Sequence, residues 1–315
     1  MQVSHGSFPP PALRGGPTAL TIGNFDGVHL GHRAMLERLV REARHRDLPA
    51  CVLTFEPHPR EFFSPAQAPA RLTRLREKLE LLAAVGIDRT HVLRFDGRLA
   101  SLPADRFIDD LLLRALGVRW LLVGQDFRFG ARRTGDYAML AAEAPRRGFV
   151  AEAMHDVLVG NERVSSSGVR AALAAGDLAL ATRLLGRPYV MSGRVAHGEK
   201  LGRTLGFPTA NIVLRRKPPL AGIFAVQAEL EETRQVLRGV ASVGRRPTVM
   251  DNAAPLLEVH LFDWAGSLYG RHLRVQFLHK IRDEEKYAGL DALRAAISRD
   301  AQQAKDYFRT QGQQA

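Results

Sequence analysis

The first part of the chain alternates short apolar runs with longer amphipathic segments. Short apolar runs predict buried strands, and apolar residues spaced three and four apart predict helices. The predicted strands are 19–22, 50–55, 91–95, 120–123 and 149–151; the predicted helices are one centred on 36–43, then 75–85, 104–116 and 137–144. This alternation predicts an open parallel sheet covered by helices. In such sheets, ligands bind beyond the carboxyl ends of the strands.

The pattern changes after Gly186-Arg187-Pro188. Closely spaced strands separated by turn residues are predicted at 190–195, 223–230, 236–243, 256–262 and 273–278. Such spacing is typical of a compact antiparallel barrel. A final helix is predicted over 290–308, with an apolar face made of Leu290, Leu293, Ile297, Ala301 and Ala304. We therefore expect two domains, 1–186 and 187–315, and an exposed loop over 60–71.

Composition restricts the class of protein. The chain has 315 residues, of which 45% are hydrophobic and 25% charged, which is typical of a globular protein. No apolar run approaches the ~20 residues that span a bilayer, and the first eleven residues do not resemble a signal peptide. Cys51 is the only cysteine, which excludes an internal disulfide and fits a reducing compartment. We expect a cytoplasmic protein without a membrane partner.

The net charge of +12 raises the question of nucleic-acid binding. However, 39 of the 45 basic residues are arginine, and the charge is spread along the chain. Residues 1–186 carry 25 basic and 20 acidic side chains, and residues 187–315 carry 20 and 13, giving +5 and +7. Attraction of anionic metabolites explains this charge as well as nucleic acid does. We expect no nucleic-acid partner.

The first chemical motif is the segment Gly-Asn-Phe-Asp-Gly-Val-His-Leu-Gly-His at 23–32, between a predicted strand and a predicted helix. Residues three apart on a helix share a face, so His29 and His32 should point the same way. A helix N-terminus presents free N–H groups and binds phosphate. The alternative is an ordinary turn with two surface histidines, but the preceding Gly-Asn-Phe-Asp-Gly favours a site for nucleotide phosphates.

Other motifs of the first domain follow later elements. Residues 55–59 and 124–130 follow predicted strands, and Ser165-Ser166-Ser167 opens a predicted helix that carries Arg170. Hydroxyl groups at a helix start indicate either an N-cap or, with an arginine one turn on, a triphosphate clamp. The chain lacks the Gly-x-x-x-x-Gly-Lys-Ser/Thr and Gly-x-Gly-x-x-Gly patterns, which disfavours a P-loop NTPase and a dinucleotide-binding dehydrogenase.

In the second domain, the strongest motif is Pro-Thr-Ala-Asn at 208–211. Thr209 and Asn211 lie two apart on an extended segment and therefore face the same side. A hydroxyl and an amide oxygen suit Mg²⁺ that also binds phosphate. Glu258 lies within a predicted strand, either on the solvent face of an edge strand or as a general base. One cysteine and no His-Glu-x-x-His pattern leave little support for zinc.

The combination of these motifs resembles the prokaryotic bifunctional riboflavin kinase/FMN adenylyltransferase (FAD synthetase) family over about residues 20–308. The resemblance implies an α/β nucleotidyltransferase-like parallel sheet at the N-terminus and an antiparallel β-barrel with a C-terminal helix. The second domain would phosphorylate riboflavin with ATP, and the first would transfer AMP from ATP to FMN, giving FAD and pyrophosphate.

The resemblance also implies residue roles in the first domain. His29 and His32 would be catalytic and hold ATP phosphates. The remaining ATP-site residues would be Gly23, Asn24, Phe25, Asp26, Ser165, Ser166, Ser167 and Arg170, and the flavin-site residues His58, Pro59, Asp126 and Phe127. FMN is already an anionic nucleophile, so this step needs positioning and charge neutralisation more than a strong base.

In the second domain, the resemblance makes Glu258 the base that deprotonates the neutral riboflavin hydroxyl. ATP would be held by Gly198, Lys200, Thr209 and Asn211, and Mg²⁺ by Thr209 and Asn211. The flavin would be held by Arg282, Lys286 and Tyr287. The chain departs from the usual family pattern at Ser167-Gly168, in place of a threonine and a basic residue, and at Ser242, in place of asparagine. These small replacements put local affinity in question.

We expect small-molecule partners, namely ATP, riboflavin and FMN, with Mg²⁺ as cofactor; a homo-oligomer is left open. One alternative within enzymes is a single-activity chain with one silent domain. Another class of protein would be a basic RNA-binding or regulatory protein on an inherited nucleotide-binding fold. That protein would bind RNA with a steep salt dependence and would not consume ATP with riboflavin.

Overall fold

The computed structural model describes residues 1–8, 16–197, 206–245 and 254–312 and divides into two units. The first unit comprises Met1–Pro69 and Thr73–Ser165, and the second comprises Ala70–Leu72 and Ser166–Ala315. The division thus precedes the boundary predicted between residues 186 and 187, because two helices group with the second unit. The boundary of the folding domains stays a prediction, which the fragments described below test.

Six strands form the sheet of the first unit, and all neighbouring pairs are parallel. Their order is β1-β4-β3-β2-β5-β8. The strands are β1 (Gln2–Gly6), β2 (Thr18–Ile22), β3 (Ala50–Glu56), β4 (Arg89–Arg94), β5 (Val118–Gly124) and β8 (Val150–Met154). The predicted parallel sheet is confirmed. Strand β1 was not predicted, because Val3 is the only large apolar residue in its sequence. The strand lies at an exposed edge of the sheet.

Helices follow the strands of this unit. They are α1 (Leu30–His45), α2 (Pro59–Phe63), α3 (Leu75–Val85), α4 (Gly97–Ala100), α5 (Ala104–Arg106, continued as a π-helix over Phe107–Ala115) and α6 (Tyr137–Arg147). Two short hairpins are formed by β6 (Arg128–Phe129) with β7 (Gly135–Asp136) and by β9 (Leu158–Val159) with β10 (Glu162–Arg163). Single 3-10 turns occur at Pro65–Gln67 and Ala131–Arg133.

The helices cover both faces of the sheet. Leu20 and Leu121 belong to one buried cluster, whereas their neighbours Ala19 and Trp120 belong to another. Because successive strand residues point to opposite faces, both faces are buried. This explains why the strands are almost continuously apolar instead of alternating with polar residues.

The prediction of an exposed loop over 60–71 was wrong in part, because a short helix begins at Pro59. The His58 side chain accepts a hydrogen bond from the Arg60 N–H, and Glu61 accepts one from the His58 N–H. This reciprocal pair satisfies N–H groups at the helix start, and Pro59 is favourable at its first position. The His-Pro-x-Glu spacing was the available signal.

Six antiparallel strands form the sheet of the second unit, in the order β11-β16-β13-β14-β15-β12. They are β11 (Tyr189–Arg194), β12 (Ala210–Val213), β13 (Gly222–Leu230), β14 (Val236–Arg245), β15 (Pro255–Leu261) and β16 (His272–Arg282). The Ala196 N–H donates to the Asn211 carbonyl, 2.8 Å away. This bridge links the end of β11 to β12, so the barrel is nearly closed, as the spacing of strands predicts.

In the described part of the second unit, three helices accompany the barrel: α7 (Ser166–Ala175), α8 (Leu178–Leu185) and α9 (Leu290–Gly312). The predicted face of α9 was wrong at Leu290, which is 59% exposed. Ala301 and Ala304 are buried as predicted, and Ala296, Asp300 and Phe308 are buried as well. Apolar residues of this set pack on Val240 and Ala225 of the barrel. The face predicted for α9 from apolar spacing could not include Asp300, because a charged residue is not counted in such a pattern.

Candidate active sites

The turn after β2 has a strained backbone. Phe25 and Val28 have φ values of 47° and 40°, and Gly27 has a φ of 85°. Left-handed conformations are rare for large and β-branched residues. Phe25 and Val28 are each 1% exposed and pack into the core. Burial therefore holds this turn in a conformation that its sequence would not adopt alone, as is common at functional sites.

Asp26 fixes the middle of the same turn. Its carboxylate accepts hydrogen bonds from the Thr73 N–H at 3.0 Å and the Thr73 hydroxyl at 3.3 Å. The Thr73 hydroxyl oxygen in turn accepts the Gly27 N–H at 3.0 Å. Because Asp26 is 5% exposed, these bonds are sheltered from water. In this structure Asp26 has a clear role in positioning the turn.

The two histidines lie at the start of α1 with their rings stacked. The ring centroids of His29 and His32 are 3.6 Å apart and the planes differ by 16°. His29 is the N-cap residue, and its Nδ1 accepts the His32 N–H at 3.2 Å. A Cβ on Gly31 would lie 3.2 Å from His29 Nδ1 and 3.4 Å from the Val164 carbonyl oxygen. The intervening glycine therefore leaves room for the His29 ring.

Both rings are held in the neutral form. His29 accepts a hydrogen bond at Nδ1, so its neutral ring carries the proton on Nε2. The pKa of His32 lies well below its ordinary value, first because burial disfavours the charged ring, and further because any positive charge on His29 or Lys78 would repel it. The histidine pair therefore offers phosphate neutral hydrogen bonds, and positive charge must come from other groups.

Two buried polar atoms at this turn lack partners within the described residues: Asn24 Oδ1 and His32 Nδ1. Buried polar atoms are normally hydrogen-bonded, so such atoms at one site indicate a bound ligand. Lys78 of α3 lies near these atoms and is 5% exposed. Its ammonium nitrogen is 3.4 Å from the Thr54 hydroxyl oxygen. Thr54 in turn donates to the Asn24 carbonyl at 3.4 Å. The sequence analysis missed this buried cation, since nothing in the local pattern distinguishes it from a surface lysine.

The predicted serine cluster is divided between the units. Ser165 ends the first unit, and Ser166 and Ser167 begin α7 of the second. Arg170 donates from Nε to the Ala70 carbonyl at 2.7 Å, within the second unit. Their assignment to an ATP site stays a prediction.

The predicted flavin-site residues lie in two loops of the first unit. His58 and Pro59 begin α2, where the His58 Nδ1 is used as a helix cap. Asp126 has an exposed side chain paired with Arg163 at 3.2 Å. Phe127 stacks on Phe129 with ring centroids 5.6 Å apart.

An aromatic cluster that the sequence analysis missed lies at the ends of β3 and β4. Phe95 contacts three other rings, with centroids 5.8 Å from Phe55, 5.5 Å from Phe62 and 5.6 Å from Phe63. Phe62 and Phe63 are 38% and 63% exposed. The adjacent phenylalanines within the predicted exposed loop were the signal. An exposed aromatic surface at this edge suits a flat, apolar ligand.

In the second unit, polar residues line up across adjacent strands on one face. Ser242 of β14 is directly opposite Glu258 of β15, which is directly opposite Asn211 of β12. Glu258 therefore lies on an interior strand, so the alternative of an edge strand was wrong. Residues directly opposite on adjacent strands have Cβ atoms about 4.5–5.5 Å apart. An amide, a carboxylate and a hydroxyl are thereby held in a row.

Asn211 is 6% exposed, and its Oδ1 atom is buried without a hydrogen-bond partner in the part of the chain that the structure describes. Thr209, two residues earlier, precedes β12 and is half-buried. An unpartnered amide oxygen beside a hydroxyl is a donor set for a hard cation such as Mg²⁺. The predicted positions Gly198 and Lys200 lie outside the described residues.

The segment after β16 brings another carboxylate to the row. Glu284 is hydrogen-bonded to Ser242, and its pKa is raised, first by burial and then by the charge of Glu258. The Glu284 carboxylate lies directly over the Cα of Gly244, where any side chain would displace it. A side chain at 244 would therefore have to displace the Glu284 carboxylate, which is the end of a flexible side chain.

Arg282, predicted to bind flavin, has protein partners in this structure. Its guanidinium pairs with Asp300 of α9 through two hydrogen bonds of 2.8 and 2.6 Å. Tyr287 lies beneath the guanidinium, 5.8 Å from its carbon to the ring centroid, and donates to Glu285 at 3.0 Å. Lys286 is exposed. The flavin role of these residues stays a prediction.

The first unit has a helix-covered parallel sheet with two stacked histidines at the turn after β2, and the second has a barrel with an amide–carboxylate row. Together they are typical of a two-unit nucleotide-dependent transferase. Two family models match the chain in order: FAD synthetase over residues 14–168 and riboflavin kinase over residues 185–308. The chain belongs to the bifunctional riboflavin kinase/FMN adenylyltransferase family.

The relatives with that name include proteins of Escherichia coli strain K12 and Haemophilus influenzae. The first is 52% identical, with 92% of each chain covered. The second is 47% identical, with 92% of this chain and 94% of the relative covered. A crystal structure described as a macrolide-efflux protein from Streptococcus pneumoniae is similar with a TM-score of 0.78 and 28% identity, covering 94% of this chain and 97% of that one. That likeness concerns the fold. Among the described residues, no helix is both long and apolar enough to cross a membrane.

Proposed function

We propose that this chain phosphorylates riboflavin to FMN on its barrel unit and adenylylates FMN to FAD on its sheet unit, with ATP as the donor in both steps. The observation that carries the proposal is that, among the described residues, each unit has at least one buried polar atom without a hydrogen-bond partner at its candidate site. These atoms are Asn24 Oδ1 and His32 Nδ1 in the first unit and Asn211 Oδ1 in the second.

In the adenylyl transfer, the phosphate of FMN attacks the α-phosphorus of ATP and pyrophosphate leaves. The attacking group is already anionic, so the residues need to orient two phosphates and stabilise charge on the oxygens. The neutral His29 and His32 rings donate hydrogen bonds, and the N-terminus of α1 adds partial positive charge. The buried ammonium group of Lys78 adds positive charge near the turn.

We assign the aromatic cluster of Phe55, Phe62, Phe63 and Phe95 to the flat ring system of FMN in this step. The cluster lies at the carboxyl ends of β3 and β4, the edge of the sheet where ligands bind. The predicted residues His58 and Pro59 lie in the adjoining loop. Asp126 and Phe127 would contact the same substrate from the loop after β5.

In the kinase step, Glu258 accepts the proton of the riboflavin hydroxyl as that oxygen attacks the γ-phosphorus of ATP and ADP leaves. A general base must lie within hydrogen-bond reach of the proton it removes. The barrel places Glu258 between Asn211 and Ser242, where nucleotide and flavin would meet. The segment 282–287 would cover the flavin side of this row.

Mg²⁺ fits the residues present, because Asn211 Oδ1 is buried without a hydrogen-bond partner in the described part of the chain and Thr209, two residues earlier, adds a hydroxyl. When bound, Mg²⁺ would neutralise charge on the phosphates of ATP. Thr209 and Asn211 would hold it with two protein oxygens, leaving other positions for water and phosphate.

Incubation of the pure protein with riboflavin, ATP and Mg²⁺, followed by chromatography, tests the proposed function. We expect FMN to appear first and FAD after it. FMN alone would indicate a single-activity chain, and neither product would contradict the proposal. The cytoplasmic location, the absence of a nucleic-acid partner and the oligomeric state stay predictions.

Separate fragments test the domain boundary. A fragment of residues 187–315 is expected to fold and to convert riboflavin to FMN, because the barrel has its own apolar core. A fragment of residues 166–315, which keeps α7 and α8, provides the comparison. Circular dichroism measures folding, and FMN formation measures activity. If only the longer fragment folds, the boundary lies before α7.

Asn211→Ala is expected to raise the Mg²⁺ concentration needed for half-maximal riboflavin phosphorylation by about tenfold, equivalent to ~1.4 kcal/mol. The variant loses one oxygen ligand without changing charge. The Mg²⁺ dependence of FMN adenylylation in the same protein serves as the control and should not change. An unaltered requirement in the kinase step would exclude Asn211 as a ligand.

A further inference from the structure

Arg282 is the point where three parts of the second unit meet. It is the last residue of β16 and lies opposite Ile223 of β13. Its Nε and one terminal nitrogen bind the two oxygens of Asp300, at 2.8 and 2.6 Å. Its other terminal nitrogen donates to the Asp283 carbonyl at 2.8 Å. A planar fork with this geometry fixes direction as well as distance.

Asp300 is the buried member of the pair. Its side chain is 7% exposed, whereas that of Arg282 is 23% exposed. Asp300 lies on the face of α9 that packs on the barrel, next to the buried Ala301. A buried carboxylate is costly unless it is paired, and here a charged fork satisfies both oxygens. The pair therefore connects α9 to the end of β16 at a defined position.

The segment 283–287 begins at this pair. Tyr287 packs beneath the guanidinium, and Glu285 lies 3.9 Å from it. Glu284, which directly precedes Glu285, lies over Gly244, is hydrogen-bonded to Ser242 and lies beside Glu258. The direction of the Arg282 fork thus determines where this segment lies against the row of Asn211, Glu258 and Ser242.

We propose that Asp300 is a positioning residue of the kinase reaction, which acts through Arg282 to hold segment 283–287 over the flavin side of the site. This inference rests on the proposed function, because it takes that segment to contact riboflavin. Asp300 itself touches no substrate. Its effect is selective: it should change how riboflavin is held, and it should leave the ATP side at Thr209 and Asn211 unchanged.

The test uses the full-length protein with the substitution Asp300→Asn. The amide keeps the size of the side chain but removes the charge and replaces one acceptor oxygen by a donor. We expect the KM for riboflavin to rise about tenfold, since hydrogen bonds to charged groups are among the stronger ones. The KM for ATP in the kinase step should stay within about twofold, as should FMN adenylylation.

Arg282→Lys is the second variant, because it keeps the positive charge and loses the two-pronged fork. It should raise the riboflavin KM in the same way. Asp306→Asn is the matched control: it removes an exposed carboxylate, paired with Arg309, from the same helix. It should change neither KM. Thermal unfolding of all three variants, followed by circular dichroism, reports the effect on stability.

A riboflavin KM that stays at the wild-type value in both Asp300→Asn and Arg282→Lys would overturn the inference. Equal increases in the KM values for riboflavin and ATP, with a lower melting temperature, would also overturn it, since they indicate a purely structural brace. Glu258→Gln, measured alongside, separates the two proposals. Loss of kinase activity in that variant with normal kinetics in Asp300→Asn would retain the proposed function and reject the role of Asp300.

Discussion

Replacing both His29 and His32 by alanine is expected to stop FAD formation while FMN accumulates from riboflavin. The two rings donate hydrogen bonds at the turn where ATP phosphates would lie, and each lost donor to a transition state typically slows a reaction by about 10²–10³-fold. The barrel unit does not depend on these rings for its fold. Chromatography of FMN and FAD over time measures both steps in one experiment.

His45→Ala is the control for this variant, because His45 is an exposed histidine in the last turn of the same helix. It should make FAD at the wild-type rate. The outcome that would contradict the phosphate role is a double variant that also makes FAD at that rate. Since both rings are neutral, we expect the single variants to lose activity without a large change in the dependence on ionic strength.

Glu258→Gln is expected to stop riboflavin phosphorylation and to leave the adenylylation of supplied FMN unchanged. The amide keeps the shape of the side chain but cannot accept the proton of the attacking hydroxyl. Loss of a general base typically costs about 10²–10⁴-fold in rate. Supplied with riboflavin, the variant should make neither product; supplied with FMN, it should make FAD normally.

Glu229→Gln tests whether any carboxylate on the barrel has this effect. Glu229 lies on β13 and pairs with Arg234 at 2.6 Å, away from the row around Glu258. This control should phosphorylate riboflavin normally. Turnover of riboflavin by Glu258→Gln within about twofold of the wild type would mean that the base is another residue.

The sheet and the barrel could be predicted because their signals are local and repeated. Continuous apolar runs such as 50–55 and 120–123 occur where a strand is buried on both faces, and these became β3 and β5. The alternation in 256–261 has the period of a strand with one buried face. The predicted limits of α3 match the structure, since Gly86 ends the helix in the left-handed conformation.

The failures have physical causes too. Strand β1 is held by pairing with β4, including a hydrogen bond between the Ser4 and His91 side chains, and its sequence has no apolar period. The helix at Pro59 depends on a side-chain cap, which a search for apolar periodicity overlooks. On α9, the buried Asp300 pairs with Arg282, and no local pattern contains that distant partner.

The sites were predictable only where several residues lie close together in sequence. The turn at 23–32 and the Pro-Thr-Ala-Asn segment each contain their chemistry within ten residues. Lys78, the phenylalanine cluster and Asp300 are brought to the sites by the fold from separate elements. The neutral state of His32 could not be read from sequence either, because it results from burial and from the neighbouring Lys78.

The unpartnered atoms Asn24 Oδ1 and Asn211 Oδ1 have a consequence for the life of the protein in the cell. A buried acceptor without a hydrogen bond costs about 1–3 kcal/mol, so the ligand-free fold is less stable than its packing would permit. Ligands that bind the folded state stabilise it by mass action. The resistance of the protein to unfolding and proteolysis should therefore follow the supply of nucleotide and flavin.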